Sequence, residues 1–188
     1  MPEPVSNPPS EAEFLEANSR RVYNLALRLV GNPADAEDVA QDALIRALRA
    51  LPSFRGDSAA ATWLHRITVN TWKNRVRAEK RRSFWKTISI QSLFGGEDEE
   101  EEPEGGLKAA DRALDADLET DETSREVHKA LQSLDEEARA VVVLRDIEGL
   151  SYQQIAETLG LPEGTVKSRL SRARDALKEK LVKYAAEG

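Results

Sequence analysis

Apolar positions in this chain recur mainly at helical spacing. The clearest stretch runs from Leu150 to Leu181. Tyr152, Ile155, Ala156 and Leu159 fall at i, i+3, i+4 and i+7, which predicts one short helix. Ser151, with Gln154 three residues on, makes a capping-box start. Gly160 stands where a helix end favours positive φ. Pro162 needs no donor and suits the first turn of a new helix. In that second helix Val166, Leu170, Ala173, Leu177 and Leu181 fall within about 60° of one direction at 100° per residue. Ser168, Ser171 and Arg172 point the opposite way, with Lys167, Arg169 and Arg174 on the flanks. A short helix, a tight turn and a second helix with a small polar and basic outer face describe a helix-turn-helix. An ordinary helical hairpin with a solvated basic face would share much of this pattern.

The N-terminal half reads the same way. Ser10, with Glu13 three residues on, starts a first helix, and Val22, Leu25, Ala26 and Leu29 give its inner stripe. Gly31-Asn32-Pro33 ends it. A second helix spans roughly residues 34–50, with Asp35, Glu37 and Asp38 in its first turn and Val39, Ala43 and Ala47 inside. A third runs from about 59 to 82 and ends strongly basic. On its wheel Trp63, Ile67, Asn70 and Asn74 share a sector of about 60°, and Trp72 lies about 180° from Trp63. The expectation is Trp63 inward and Trp72 outward. The two amides then either bond to neighbouring loop backbone or line a pocket that hydrogen-bonds a base. An outward Trp72 either rests against solvent or stacks on a base. Further on, Val127, Ala130, Leu131 and Leu134 form one helix, and Asp135-Glu136-Glu137 opens another containing Val141, Val142 and Leu144.

Composition narrows the classes. A length of 188 residues allows one or two domains, and with no β-hairpin signal the fold class is all-α. There is no cysteine, so disulfides and thiolate chemistry are excluded. His65 and His128 have no nucleophile or metal-ligand spacing around them and no Gly-rich phosphate loop exists, so no catalytic residue, metal or cofactor is expected. The N-terminus lacks a secretion signal, and the longest apolar run, Ala140–Leu144, cannot span a membrane. The expected compartment is the cytoplasm. Net charge is −7, yet Arg66 to Lys86 holds eight cations against Glu79 alone. Acids gather instead in 97–104 and 111–126. Local fields of this kind govern binding more than the sum does. The run GGEDEEEEPEGG reads as a flexible spacer, and a Gly-flanked acidic linker is expected to leave the two domains without a fixed mutual orientation.

Two segments carry a resemblance. DAEDVAQDALIRALRALPSFRG with GDSAAATWLHRITVNTWKNRVRAEKRR resembles the second conserved region of the extracytoplasmic-function (ECF) sigma factors of bacterial RNA polymerase. LSYQQIAETLGLPEGTVKSRLSRARDAL resembles their fourth. The Pro-rich, polar residues 1–9 read as a disordered lead, and the resemblance implies two small helical domains, region 2 at 10–84 and region 4 at 122–184, joined by a flexible acidic linker at 85–121. It implies core RNA polymerase and promoter DNA, duplex and melted non-template strand, as partners, with an anti-sigma factor besides. The regulon would serve a stress or envelope response. Asp38, Gln41, Asp42 and Arg46 become candidate polymerase contacts. Asn70 becomes the residue for a flipped base of the −10 element, with Trp63 as support and Asn74 beside it. Arg75, Arg77 and Lys80 would hold the strand's backbone. Ser168, Ser171 and Arg172 would read the −35 element, with Lys167, Arg169 and Arg174 on phosphates. In the family the linker threads the RNA-exit path, so the acidic run is either a spacer or an occupant of a basic channel. A helix-turn-helix regulator acting without polymerase core is the alternative. It explains the C-terminal half but not the amide-bearing basic helix.

Overall fold

Ser10 caps the first helix as its spacing requires: its side chain accepts from Glu13 N–H, and the Glu13 carboxylate takes the Ser10 N–H at 2.8 Å. The computed structural model describes residues 10–54, 60–93 and 122–187, and the regular elements among them are all helical. The lead at 1–9 and the acidic run at 97–104 lie outside the described residues. Helix α1 covers Glu11–Val30 and closes on Gly31 at φ 93°. Asn32 then caps α2, Pro33–Ala50, with Pro33 in its first turn. After a short 3₁₀ turn at Leu51–Ser53 comes α3, Ala60–Leu93. Helix α3 therefore overruns the expected end near Arg82 and carries the first residues of the expected linker in helical form.

In the C-terminal half, α4 spans Glu122–Gln132, and Asp135 caps α5, Glu136–Val142. The chain then widens into a π turn over Val143–Ile147. Helices α6, Tyr152–Leu159, and α7, Glu163–Glu187, complete the fold. The Ser151–Gln154 capping box forms, and Gly160 adopts φ 69°. Leu161 N–H reaches back to Ala156 O at 3.0 Å, closing the turn between α6 and α7. Pro162 sits one place earlier than expected, accepting from Thr165 and Val166 N–H just ahead of α7.

The inward face of α3 is the reverse of the expected one. Trp72 is only 4 % exposed, alongside Leu64, Thr68, Val69 and Thr71. Trp63 is half-buried and lies against Phe54 and the edge of Phe14, at ring separations of 4.9 and 6.5 Å. Asn70 and Asn74 are exposed. The reason is local. Thr68 and Thr71 donate to the carbonyls of Leu64 and Ile67 four residues back, both at 2.9 Å, so two hydroxyls enter the core already satisfied. Two asparagines cannot hide their amides in that way.

The two halves also do not lie apart. They share one continuous apolar core, joined by polar contacts to helix ends. Arg139 of α5 donates to Leu29 O at the end of α1 (2.7 Å) and to Leu131, Gln132 and Leu134 O at the end of α4 (3.0–3.2 Å). Gln132 donates to Arg28 O at 3.0 Å, and His128 Nε2 lies 3.2 Å from Gly31 O. In return Lys73 of α3 caps α6 at Leu159 O, 2.7 Å. The expectation of freely oriented domains is therefore corrected. It weighed the linker's composition and ignored the carbonyls that each half leaves for the other.

Arg139→Leu is expected to lower stability by roughly 3 kcal/mol, because carbonyls on two helix ends lose a shared donor in a largely buried site. Arg139→Lys should recover only part of this, since one ammonium lacks the guanidinium's planar fork. Denaturant unfolding of the full chain measures both; complete recovery by lysine would show that charge alone matters there.

Candidate nucleic-acid interface

Helix α7 divides as its wheel requires. Val166, Leu170 and Ala173 are buried, and Ser168, Ser171 and Arg172 are exposed. Gly160 and the Leu161 closure set the angle at which α7 leaves α6, so the outer face projects from a fixed corner. Arg172 is held loosely by its own helix, donating to Ser168 O at 3.3 Å. The flanking cations are each paired with an acid of the same half. Lys167 meets Glu163 at 2.8 Å, Arg169 meets Glu137 and Arg174 meets Asp146. The hydrogen bond to Glu163 holds the Lys167 ammonium above its usual pKa, and the bond to Asp146 does the same for Arg174. Tyr152 sits beneath Arg145 and Lys167, 4.8 and 5.4 Å from its ring centre.

On α3 the exposed residues Arg66, Asn70, Asn74, Arg77 and Arg81 follow at i, i+4, i+8, i+11 and i+15. They form one stripe of amides and guanidinium groups about 80° wide. Trp63 borders that stripe, half-buried. The structure thus brings Asn70, Asn74, Arg77 and Trp63 together. It does not bring Arg75 to them. Arg75 points to α2 and bonds Asp35 (2.6 Å), Asp38 (3.0 Å) and Glu79 (3.1 Å). Burial works against its charge, but the bonds to Asp38 and Glu79 outweigh it and raise its pKa. Lys80 sits at the stripe's edge and meets Glu136 of α5 at 2.7 Å. Arg66 and Arg81 join the stripe through their helical spacing from Asn70 and Arg77, which the basic run taken as a block does not disclose.

Asp38, Gln41, Asp42 and Arg46 are exposed on the outer face of α2, as an amphipathic helix with Val39, Ala43 and Ala47 inside must place them. Ile45 lies among them, 47 % exposed, and was not anticipated.

Between the halves, Glu148 follows the π turn and reaches Arg28 at 3.0 Å and His65 at 3.1 Å. His65 is 2 % exposed, and its ring nitrogens lack a well-aligned hydrogen bond, so Glu148 meets it off the N–H axis. Burial pushes the Glu148 carboxyl upward, but His65, Arg28 and Arg21 outweigh it, leaving the pKa below the ordinary value. Burial, then Arg77, lowers the pKa of Lys73, which caps α6. A cleft of about 180 Å³ lies there, between Trp72, Lys73, Arg77 and Lys80 on one wall and Glu136, Leu159 and Leu161 on the other. Among the described residues no acid–histidine cluster could hold a metal ion, and no helix is long and apolar enough to cross a membrane.

An all-helical chain with a helix-turn-helix in one half and an amide-and-cation helix in the other defines a two-part DNA-facing protein. Residues 14–82 match the family model for Sigma-70 region 2, and residues 124–177 match that for Sigma-70 region 4. The chain is 40% identical over 163 residues to the RNA polymerase sigma-H factor of Pseudomonas aeruginosa, covering 86% of this chain and 80% of that one. It is 41% identical over 161 residues to the ECF RNA polymerase sigma-E factor of Escherichia coli K12, covering 86% and 81%. Among solved structures it is similar to the sigma factor RpoE in complex with the anti-sigma factor NepR from Bartonella quintana, with TM-score 0.63, 28% identity, and 90% and 95% of the two chains covered. The chain belongs to the sigma-70 family, in its ECF group.

Pairing of the flanking cations yields an expectation about salt. Glu163→Gln frees Lys167, so affinity should rise alike on cognate and scrambled duplexes, and the salt dependence should steepen by up to about one unit. Lys167→Ala should do the reverse, and Arg172→Ala should weaken the cognate duplex selectively, by about 1–3 kcal/mol if it holds a guanine edge. Fluorescence anisotropy across a salt series separates the three. An unchanged slope for Glu163→Gln would mean that phosphate already displaces the carboxylate.

Proposed function

We propose that this chain is a sigma factor that binds core RNA polymerase, recognises −35 and −10 promoter elements and starts transcription. The observation that carries the reading is the presence of two unlike DNA-facing surfaces on one chain. Ser168, Ser171 and Arg172 on α7 suit the major groove of a duplex, with Lys167, Arg169 and Arg174 poised for phosphates. The stripe on α3 suits a melted strand. Asn70 and Asn74 offer amides to a base edge, and Arg66, Arg77 and Arg81 offer cations to its backbone. Trp63 supports that stripe from its border. Arg75 serves region 2 from behind by tying α3 to α2, and Lys80 must leave Glu136 before it can hold a phosphate.

The outer face of α2, with Asp38, Gln41, Asp42 and Arg46 around Ile45, is the surface offered to polymerase. The role is regulatory, exercised in the cytoplasm, and asks no catalysis of this chain, because bond formation belongs to polymerase. An anti-sigma factor is a further partner, as for the similar Bartonella protein. A helix-turn-helix regulator acting alone would leave the α3 stripe and the α2 face without a use.

Run-off transcription with core polymerase tests the reading directly: product should depend on adding this chain and on both promoter elements. Asn70→Ala should cut open-complex formation at least tenfold while leaving polymerase binding and the melting temperature unchanged, since the residue is exposed. Permanganate footprinting follows the melted region. Normal opening by this variant would remove Asn70 from the site.

A further inference from the structure

The cleft between α3 and the α5–α6 side holds more positive charge than its own acids can answer. Glu136 and Glu137 line it, and both are taken: Glu136 by Lys80 at 2.7 Å, and Glu137 by Arg169 of α7. Lys73 and Arg77 are left. They stand four residues apart on α3, so their side chains are neighbours on one face. Lys73 uses one of its three donors on Leu159 O at 2.7 Å, which satisfies a helix end but neutralises no charge. Arg77 makes no hydrogen bond or ion pair among the described residues. The charged group that acts on the Lys73 ammonium is Arg77 itself, and with burial it disfavours the charged form. Like charges at this spacing repel, and partial burial of one without a counter-ion adds a desolvation cost. An anion between the two would relieve both.

The rest of the cleft is largely apolar. Trp72, Ala140 and Leu159 are buried along it, and Val76 and Leu161 are half-buried. Arg77 is exposed and Lys73 half-buried, so the cationic pair runs from the mouth inward. The volume of about 180 Å³ limits what can enter. Sites for larger ligands run to about 300–1,000 Å³, whereas an apolar cavity of about 150 Å³ takes benzene. The space suits a body of one ring. A compact ammonium beside a planar guanidinium suits an acid group with two charges and several acceptor oxygens.

We propose that this cleft is a binding site for a small phosphate monoester, its phosphate between Lys73 and Arg77 and its one-ring body against Trp72, Val76 and Leu161. The site goes beyond promoter recognition and does not depend on it. It touches the proposed function through Arg77, which also belongs to the α3 stripe. An occupied cleft takes one cation from the surface offered to a melted strand, so the two ligands weaken each other's binding.

Calorimetric titration of the full chain with phenyl phosphate, benzoate and inorganic phosphate, at one ionic strength, tests the site. Phenyl phosphate should bind one-to-one and roughly tenfold tighter than either other probe, because benzoate has the ring with a single charge and inorganic phosphate has no ring. Arg77→Gln should cut that affinity about tenfold without lowering the melting temperature, since the guanidinium holds nothing else. Leu161→Ala should weaken phenyl phosphate and leave inorganic phosphate as it was. No binding of phenyl phosphate, or full affinity in Arg77→Gln, overturns the site. Equal affinity for phenyl and inorganic phosphate overturns the apolar seat, as does a Leu161→Ala chain that treats both alike. Benzoate binding as tightly as phenyl phosphate overturns the pairing of a dianion with both cations. Phenyl phosphate should also weaken binding of a single-stranded oligonucleotide severalfold beyond what inorganic phosphate does. Strand binding that ignores phenyl phosphate overturns the shared use of Arg77. A chain that bound no strand under any condition, with the titrations intact, would sink the strand reading of α3 and leave the cleft site standing.

Discussion

Every α-helix ends with backbone carbonyls that its own turns cannot bond, and the arrangement of this protein depends on where those carbonyls find donors. Helix α1 ends on Arg28, Leu29 and Gly31, and its donors come from Gln132, Arg139 and His128, over a hundred residues away in two cases. Helix α6 ends on Leu159, whose carbonyl takes the ammonium of Lys73. Each half supplies cations to the negative end of a helix in the other, where the dipole favours them. Arg139 joins α1 to α4 by holding both ends at once, and burial lowers its pKa without removing its charge. Glu148 closes the same corner from the other side.

Much of the local structure was legible. Caps at Ser10 and Ser151, the left-handed stop at Gly160 and the split faces of α7 followed from spacing, because each is set by residues within one or two turns. The facing of α3 was not. Periodicity placed Trp63, Asn70 and Asn74 together, correctly, but gave no sign of which side was inward. The threonines decided it, and a back-bonded threonine counts as apolar only once its partner carbonyl is known. The placement of Arg75 was not legible for a related reason. Two of its three acids come from α2, 37 and 40 residues away, and a basic run does not disclose that its members are occupied from another helix.

The joining of the halves did leave a trace in the sequence. Residues Ala140 to Leu144 are all buried, five in succession, and a helix apolar on every side must be surrounded. Helix α7 covers one side and the α1 corner covers another, while the π turn lets the chain leave this enclosed stretch and present Glu148. Read only for membrane spanning, the run looked uninformative. Read as a helix with no outer face, it calls for neighbours on several sides, and α1 of the other half is one of them.

Because Gln132, Arg139 and His128 all meet backbone oxygens, half of each of these contacts is independent of residue identity. Any residue at position 28 or 29 offers Gln132 and Arg139 the same carbonyl. Related chains could therefore keep the junction while drifting freely on the acceptor side, with no paired change to mark it. Covariation between positions should under-report this boundary, and comparative maps built on coupled substitutions would draw the two regions as more independent than their backbones are. The exceptions are Gly31, where the bond is indifferent to identity but the space beside Gln132 is not, and the Glu148–Arg28–His65 group, whose contacts run between side chains.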